Sequence, residues 1–146
     1  MNIPPQEDPL LHYIASRLMR HGHRARASQI VSRILLHIHA YTRAPPLPIL
    51  RQAIFAAAPA VRCLNHRRAT KQVLKPIALS EKQGIWYAVE WILKECEDQK
   101  GPMRTEEKFA REIIKIIRRD SKVLENKERM HKEAMLNRGN VPVRQK

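Results

Sequence analysis

Seven histidines, two cysteines and a few close carboxylate pairs are the side chains of this chain able to do chemistry on their own. His37 and His39 are two apart, which turns them to different sides of a helix. His21 and His23 flank Gly22 among arginines, and no Asp or Glu occurs from Pro9 to Ser80. A metal site usually joins its histidines to thiolates or carboxylates, so this region predicts no metal. Cys63 and Cys96 stand far apart and outside any CxxC spacing, which reads as two reduced packing residues. Glu106 and Glu107 follow Thr105 at a helix start, where acids complement the helix dipole. An acid/base pair would need a cleft and a shifted pKa as well. Walker, GxGxxG, GxSxG and HExxH patterns are all missing. The expectation is a protein that is not an enzyme and takes no cofactor.

The chemistry that remains is anion binding. Lys and Arg number 28 against 14 Asp and Glu, a formal net charge of +14. Residues 1–80 hold 12 of those cations and only Glu7 and Asp8 as acids. Ten of the 12 are arginines, whose planar fork suits phosphate and base edges better than a lysine point charge. Arg17, Arg20, His23, Arg24, Arg26 and Arg33 gather around two helices and their loop, and Arg62, Arg67, Arg68, Lys71 and Lys75 crowd a later segment. Such a surface calls for a polyanion. An anionic membrane is the rival to nucleic acid, but no apolar run approaches spanning length and the second half is rich in acids, so no membrane partner is expected. Seven aromatics, none in the basic loops, disfavour single-strand stacking and favour a folded RNA read through phosphates, 2′-OH groups and shape. Duplex DNA bound by a helix-turn-helix would need a clean turn, and Pro45, Pro46 and Pro48 make it a poor one.

The elements that must position these cations are mostly helical. Asp8 and Pro9 open a first helix carrying Leu10, Leu11, Ile14, Leu18 and Met19, with Gly22 as its stop. A second runs from about Ala27 to Tyr41 on an Ala27, Ile30, Val31, Ile34, Leu35 and Ile38 stripe. The prolines start a third, which Pro59 ends. Val61 to Ala78 reads as two strands with a polar tip at Asn65–Lys71; without Asn-Gly or Asp-Gly, a tight two-residue turn is not indicated. Ser80 and Gln83 form a capping box for a fourth helix, Thr105 caps a fifth, and a charged sixth spans about Ser121 to Asn137. Met1–Asp8 lacks an apolar signal core, and residues 1–146 are expected to form one domain with a flexible tail over 139–146.

Three stretches then resemble the small-subunit ribosomal protein seven family. Leu18-Met19, Gly22 and Ile30-Val31 are similar to its LM-x-x-GKK…IV stretch, with His23 and Arg24 in place of the lysines. Ala69-Thr70-Lys71-Gln72-Val73-Leu74 resembles ATYQVP, with Arg67 and Arg68 where the family has tip glycines. His131-Lys132-Glu133-Ala134-Met135-Leu136-Asn137-Arg138 resembles HRMAEANR. DPLLHYIASRLMRHG and RAPPLPILRQAIFAAAPAVRC are similar to fungal mitochondrial members.

The resemblance implies a bundle of six helices with a β-hairpin arm protruding between the third and fourth. It implies a non-catalytic constituent of the small ribosomal subunit that binds the 3′ major (head) domain of small-subunit rRNA and helps assemble the head. The arm would lie near exit-site tRNA and the mRNA exit path. Partners would include other head and platform proteins, with no homo-oligomer, in the mitoribosome of the mitochondrial matrix. His131, Lys132, Asn137 and Arg138 join the two basic clusters as implied RNA contacts.

Overall fold

The computed structural model describes residues 8–68 and 71–141, Arg68 by its backbone alone. The order is α1 (Pro9–Leu18), α2 (Arg24–Thr42), α3 (Pro46–Ala57), β1 (Val61–Arg68), β2 (Lys71–Ala78), α4 (Glu81–Asp98), α5 (Thr105–Ile117) and α6 (Lys122–Leu136). A short 3-10 turn, Arg138–Asn140, follows and packs against β2. Six helices with a hairpin between the third and fourth is the expected architecture.

Helix α5 organises the bundle. Phe109, Ala110, Ile113 and Ile116 are fully buried, because their spacing lays one wide apolar stripe along a 13-residue helix. That stripe packs against α2, α3 and α4. Facing it are Ile34 and Ile38 from α2, Leu50, Ala53 and Ile54 from α3, and Val89 and Ile92 from α4. Helix α1 adds Leu11, Ile14 and Ala15, and α6 adds Val123.

Several boundaries follow the expected chemistry. The Asp8 carboxylate accepts from the Leu10 N–H at 2.8 Å and also pairs with Arg51 of α3, so the first cap ties two helices together. Ser80 and Gln83 complete the reciprocal capping box of α4. Ala58 is extended (φ −66°, ψ 126°) ahead of Pro59, as the proline ring requires.

Others differ for local reasons. Helix α1 stops at Leu18 rather than near Gly22, since Met19 is already extended. His21 (φ 52°) and Gly22 (φ 75°) instead make a left-handed turn, and α2 starts three residues earlier than the apolar stripe predicts. Thr105 is not the cap of α5 but its first residue; Arg104 holds the cap position without a side-chain hydrogen bond. The arm differs most. Antiparallel pairing runs from Val61↔Ala78 out to Arg68↔Lys71, so the strands extend through the segment expected to be a polar tip. Only residues 69–70 separate them, and those two lie outside the described residues. Asn65, His66 and Arg67 are exposed along this strand, and the cross-strand Asn65–Gln72 hydrogen bond (3.2 Å) supports the pairing. The tail expected over 139–146 lies in part within the 3-10 turn, and residues 142–146 lie outside the described ones.

Gly84 gives a test of how α4 meets the arm's base. A Cβ there would stand 2.9 Å from the Pro59 carbonyl oxygen and 3.4 Å from the Ala58 Cβ. Gly to Ala inside a helix ordinarily gains about 1 kcal/mol. Here backbone must move, and overpacking of that kind costs about 1–3 kcal/mol. Gly84→Ala is therefore expected to lower stability in denaturant unfolding; a gain would show that the helix does not press on this loop.

Candidate nucleic-acid interface

The left-handed turn at His21 and Gly22 brings the end of α1 back beside the start of α2. The His23 N–H donates to the Arg20 carbonyl at 3.1 Å, which closes the turn. The result is a groove of about 450 Å³ whose lining includes Arg17, Arg20, His21, His23, Arg26 and Lys108, with Glu97 as its one acid. Arg17 pairs with Glu90 of α4. Arg20 stands 3.7 Å from Glu97, both side chains mostly exposed, and an exposed pair of this kind is worth little and yields to salt or to a competing anion. His23 and Arg26 hold no ion pair among the described residues. Cys96 lies in the floor of the groove. Burial, with Glu112 second, pushes its thiol up to about 12, so at neutral pH it is a protonated packing group and offers no thiolate.

A second groove of about 640 Å³ runs between α1 and α2. Its polar lining is His12, Arg24, Ser28, Gln29, Ser32 and Arg33, without an acid. Arg24 reaches the Ser16 hydroxyl at 3.4 Å. Arg33 lies 3.3 Å from Glu106, whose carboxylate is buried. Arg33 is therefore committed to the fold as well as to the surface, because removing it would leave a buried charge alone.

The arm divides its cations. By register, Arg62, Leu64 and His66 share one face with Lys71, Val73, Lys75 and Ile77, while Arg67 shares the other with Asn65 and Gln72. Arg67 and Lys71 are exposed. Arg62 is not a tip contact: one of its terminal nitrogens donates to the Tyr87 hydroxyl of α4 at 3.1 Å, and its Nε is buried without a partner among the described residues. Arg68 pairs with Lys71 along the backbone, and its side chain lies outside the described residues.

The last cluster does not form one surface either. The Ala60 N–H, at the root of β1, donates to His131 Nε2 at 3.1 Å. Lys127, one turn earlier, donates to the Ala56 carbonyl. Two side chains of α6 thus hold the α3–β1 junction. Asn137 caps α6 by donating to the Glu133 carbonyl at 2.8 Å. Lys132 stands 3.8 Å from Glu128 on the exposed side, and Arg138 lies in the turn beside β2. His131 and Asn137 act structurally here, while Lys132 and Arg138 remain exposed cations.

Sequence reasoning missed His12, Ser28, Gln29 and Ser32, although Arg24, Ser28 and Ser32 sit at i, i+4 and i+8 on one side of α2. His21 is legible beside Gly22 among the arginines, and the fold brings it into the groove with His23. Lys108 had no local signal, since only the packing of α5 beside α2 brings it to the groove. Among the described residues no three of His, Cys, Asp and Glu converge into a metal-holding group, and no helix is long and apolar enough to cross a membrane.

A sequence profile of the family described as Ribosomal protein S7p/S5e matches residues 2–138. Small ribosomal subunit protein uS7m of Schizosaccharomyces pombe is 34% identical over 141 residues, 97% of this chain and 54% of that protein. The chain spans about half the length of this curated relative.

The His131 contact is pH-sensitive. To accept from Ala60, Nε2 must be unprotonated, and burial, followed by Lys127, lowers the ring's pKa from the ordinary value. The unfolded chain then binds a proton more readily than the folded one. The contribution is complete above about 6.5 and is lost as pH falls through that value toward the lowered one. The protection factor of the Ala60 amide should fall as pH is lowered from neutral through the ordinary imidazole range, and His131→Gln should flatten the change. An Ala60 protection factor independent of pH would contradict the contact.

Proposed function

Because the chain belongs to the Ribosomal protein S7p/S5e family, we propose that it is a structural, non-catalytic constituent of a small ribosomal subunit that binds the 3′ major (head) domain of small-subunit rRNA. One observation carries the reading: around the Gly22 turn, Arg17, Arg20, His21, His23, Arg26 and Lys108 line a groove containing a single carboxylate. Guanidinium forks bind phosphate oxygens two at a time, and a groove so poor in acids costs little to bring against a phosphate backbone. The acid-free groove between α1 and α2 extends this surface with Arg24 and Arg33, and its hydroxyl and amide groups suit ribose 2′-OH groups.

The arm, with Arg67, Lys71 and Lys75 exposed or half-exposed, reaches away from the bundle toward exit-site tRNA and the mRNA exit path. Arg68 and Arg138 complete the contact, while Lys132, beside Glu128 on the exposed side of α6, stands apart from it. In this reading the chain helps nucleate the subunit head beside other head and platform proteins, as a single domain and not as a homo-oligomer, since a net charge of +14 repels a second copy. The name of the fungal relative supports the mitoribosome as its location.

Two tests separate positioning from anion contact. Head-domain RNA should bind better than duplex DNA of equal length at moderate salt. With about 6–10 phosphates neutralised, affinity should fall by roughly 10³–10⁵ between 50 and 200 mM salt. Arg26→Ala and Arg67→Ala should each flatten the log–log salt slope by about one without changing the melting temperature. Arg33→Ala should destabilise the fold by about 1–3 kcal/mol, because the Glu106 carboxylate stays buried without its partner. Equal affinity for duplex DNA, or a slope unchanged in both exposed variants, would overturn the reading.

A further inference from the structure

Helix α6 carries a surface unlike the rest of the chain. Glu125, Glu128, Lys132, Glu133 and Leu136 recur along one side of it, and with Trp91 of α4 and Met130 they line an open groove of about 820 Å³. Its lining exposes much more apolar than polar surface. Leu136 is 86% exposed and the adjoining Met135 68%, the two most exposed large apolar side chains among those described. Trp91 is half-buried, with its ring tilted against Tyr87 at 5.7 Å. Helix α6 turns its other side, with Val123, His131 and Ala134, to the bundle and the hairpin root.

We infer that this α4–α6 groove docks a cationic amphipathic segment of another protein, with an aliphatic or aromatic side chain on Trp91, Met130 and Leu136 and lysines or arginines against Glu125, Glu128 and Glu133. Charge selects the occupant. On a chain of net charge +14, three carboxylates edge this groove, and Glu125 and Glu133 hold no ion pair among the described residues. Against these acids stand only Arg129, hydrogen-bonded to Asn126 at 2.8 Å, and Lys132, 3.8 Å from Glu128, so the lining keeps an excess of negative charge. Phosphates would meet carboxylates here, so RNA is disfavoured. A second copy related by a twofold axis would set the same acids against themselves. A basic segment gains on each count: its cations find unpaired carboxylates, its apolar side covers Leu136, and an arginine over the Trp91 ring adds a cation–π contact. Helix-in-groove recognition has this combination of apolar anchors and flanking charge.

The inference goes beyond the RNA contact but uses the proposed particle as the source of the partner, so the experiment reads the two separately. A photo-crosslinking residue is placed at Leu136 of the full chain, which is then isolated in small-subunit particles. Presence in the particle reports on the RNA reading alone. Mass spectrometry of the irradiated particle should then find one protein segment with an excess of Lys and Arg. The Glu125→Lys, Glu133→Lys double variant should lower that crosslink about tenfold, the scale expected for lost charge complementarity, while incorporation and helix content stay unchanged. A crosslink to RNA, to a second copy or to an acidic segment, a yield indifferent to the charge reversal, or no crosslink in a particle that holds the chain would each overturn the inference.

Discussion

Helix α5 carries its apolar stripe and two of the four buried polar or charged residues among those described, Glu106 and Glu112, into the interior together. A carboxylate is costly to bury unless it is paired or hydrogen-bonded. Glu112 accepts from the Ser121 hydroxyl at 2.6 Å and from Gln99 at 3.2 Å, with Lys115 at 3.4 Å. Ser121 in turn caps α6 by accepting from the Val123 N–H. Glu106 pairs with Arg33 of α2. Satisfying these two carboxylates therefore fixes where α2, the α4–α5 loop and the start of α6 must lie, and the apolar stripe of the same helix packs what they position.

The uneven charge of the sequence takes a different meaning in this frame. The acid-free stretch from Pro9 to Ser80 is not left wholly unpaired: Glu90, Glu97 and Glu106 come from α4 and α5 to meet Arg17, Arg20 and Arg33, and Asp8 meets Arg51. Some arginines thus hold the bundle together across long stretches of sequence. What the pairs leave over is concentrated at the Gly22 turn, along the α1–α2 groove and on the arm. The second half supplies acids inward to hold these arginines and, along α6, outward to a surface of opposite character. A single chain can in this way offer one face to nucleic acid and another to protein.

Most of the architecture was legible in the sequence, because its signals are local: Asp8–Pro9, the Ser80–Gln83 box and the apolar stripes each depend on a few neighbouring residues. Element ends were less so. Met19 leaves the helix before Gly22, and Thr105 gives up its capping role to Arg104, outcomes set by packing and turn closure rather than by residue type. The arm was expected with a wide tip, because Asn65–Lys71 has no strand signal beyond its exposure, yet pairing continues through it. The candidate site was legible as a basic surface, and only partly as a set of residues that the fold brings together. Arg62, His131 and Asn137 were chosen by type and motif, but tertiary contacts turn them to structural use. Lys108 joins the groove only through the fold.

The central claim is that the excess of cations at the Gly22 turn and on the arm exists to hold folded small-subunit rRNA. Hydroxyl-radical footprinting of that RNA with and without the chain measures it most directly. Protections confined to the 3′ major domain, weakened at the same nucleotides when Arg26 or Arg67 is changed to Ala, are the expected result. Protections scattered through other domains, or none at salt where the chain is folded, would contradict it.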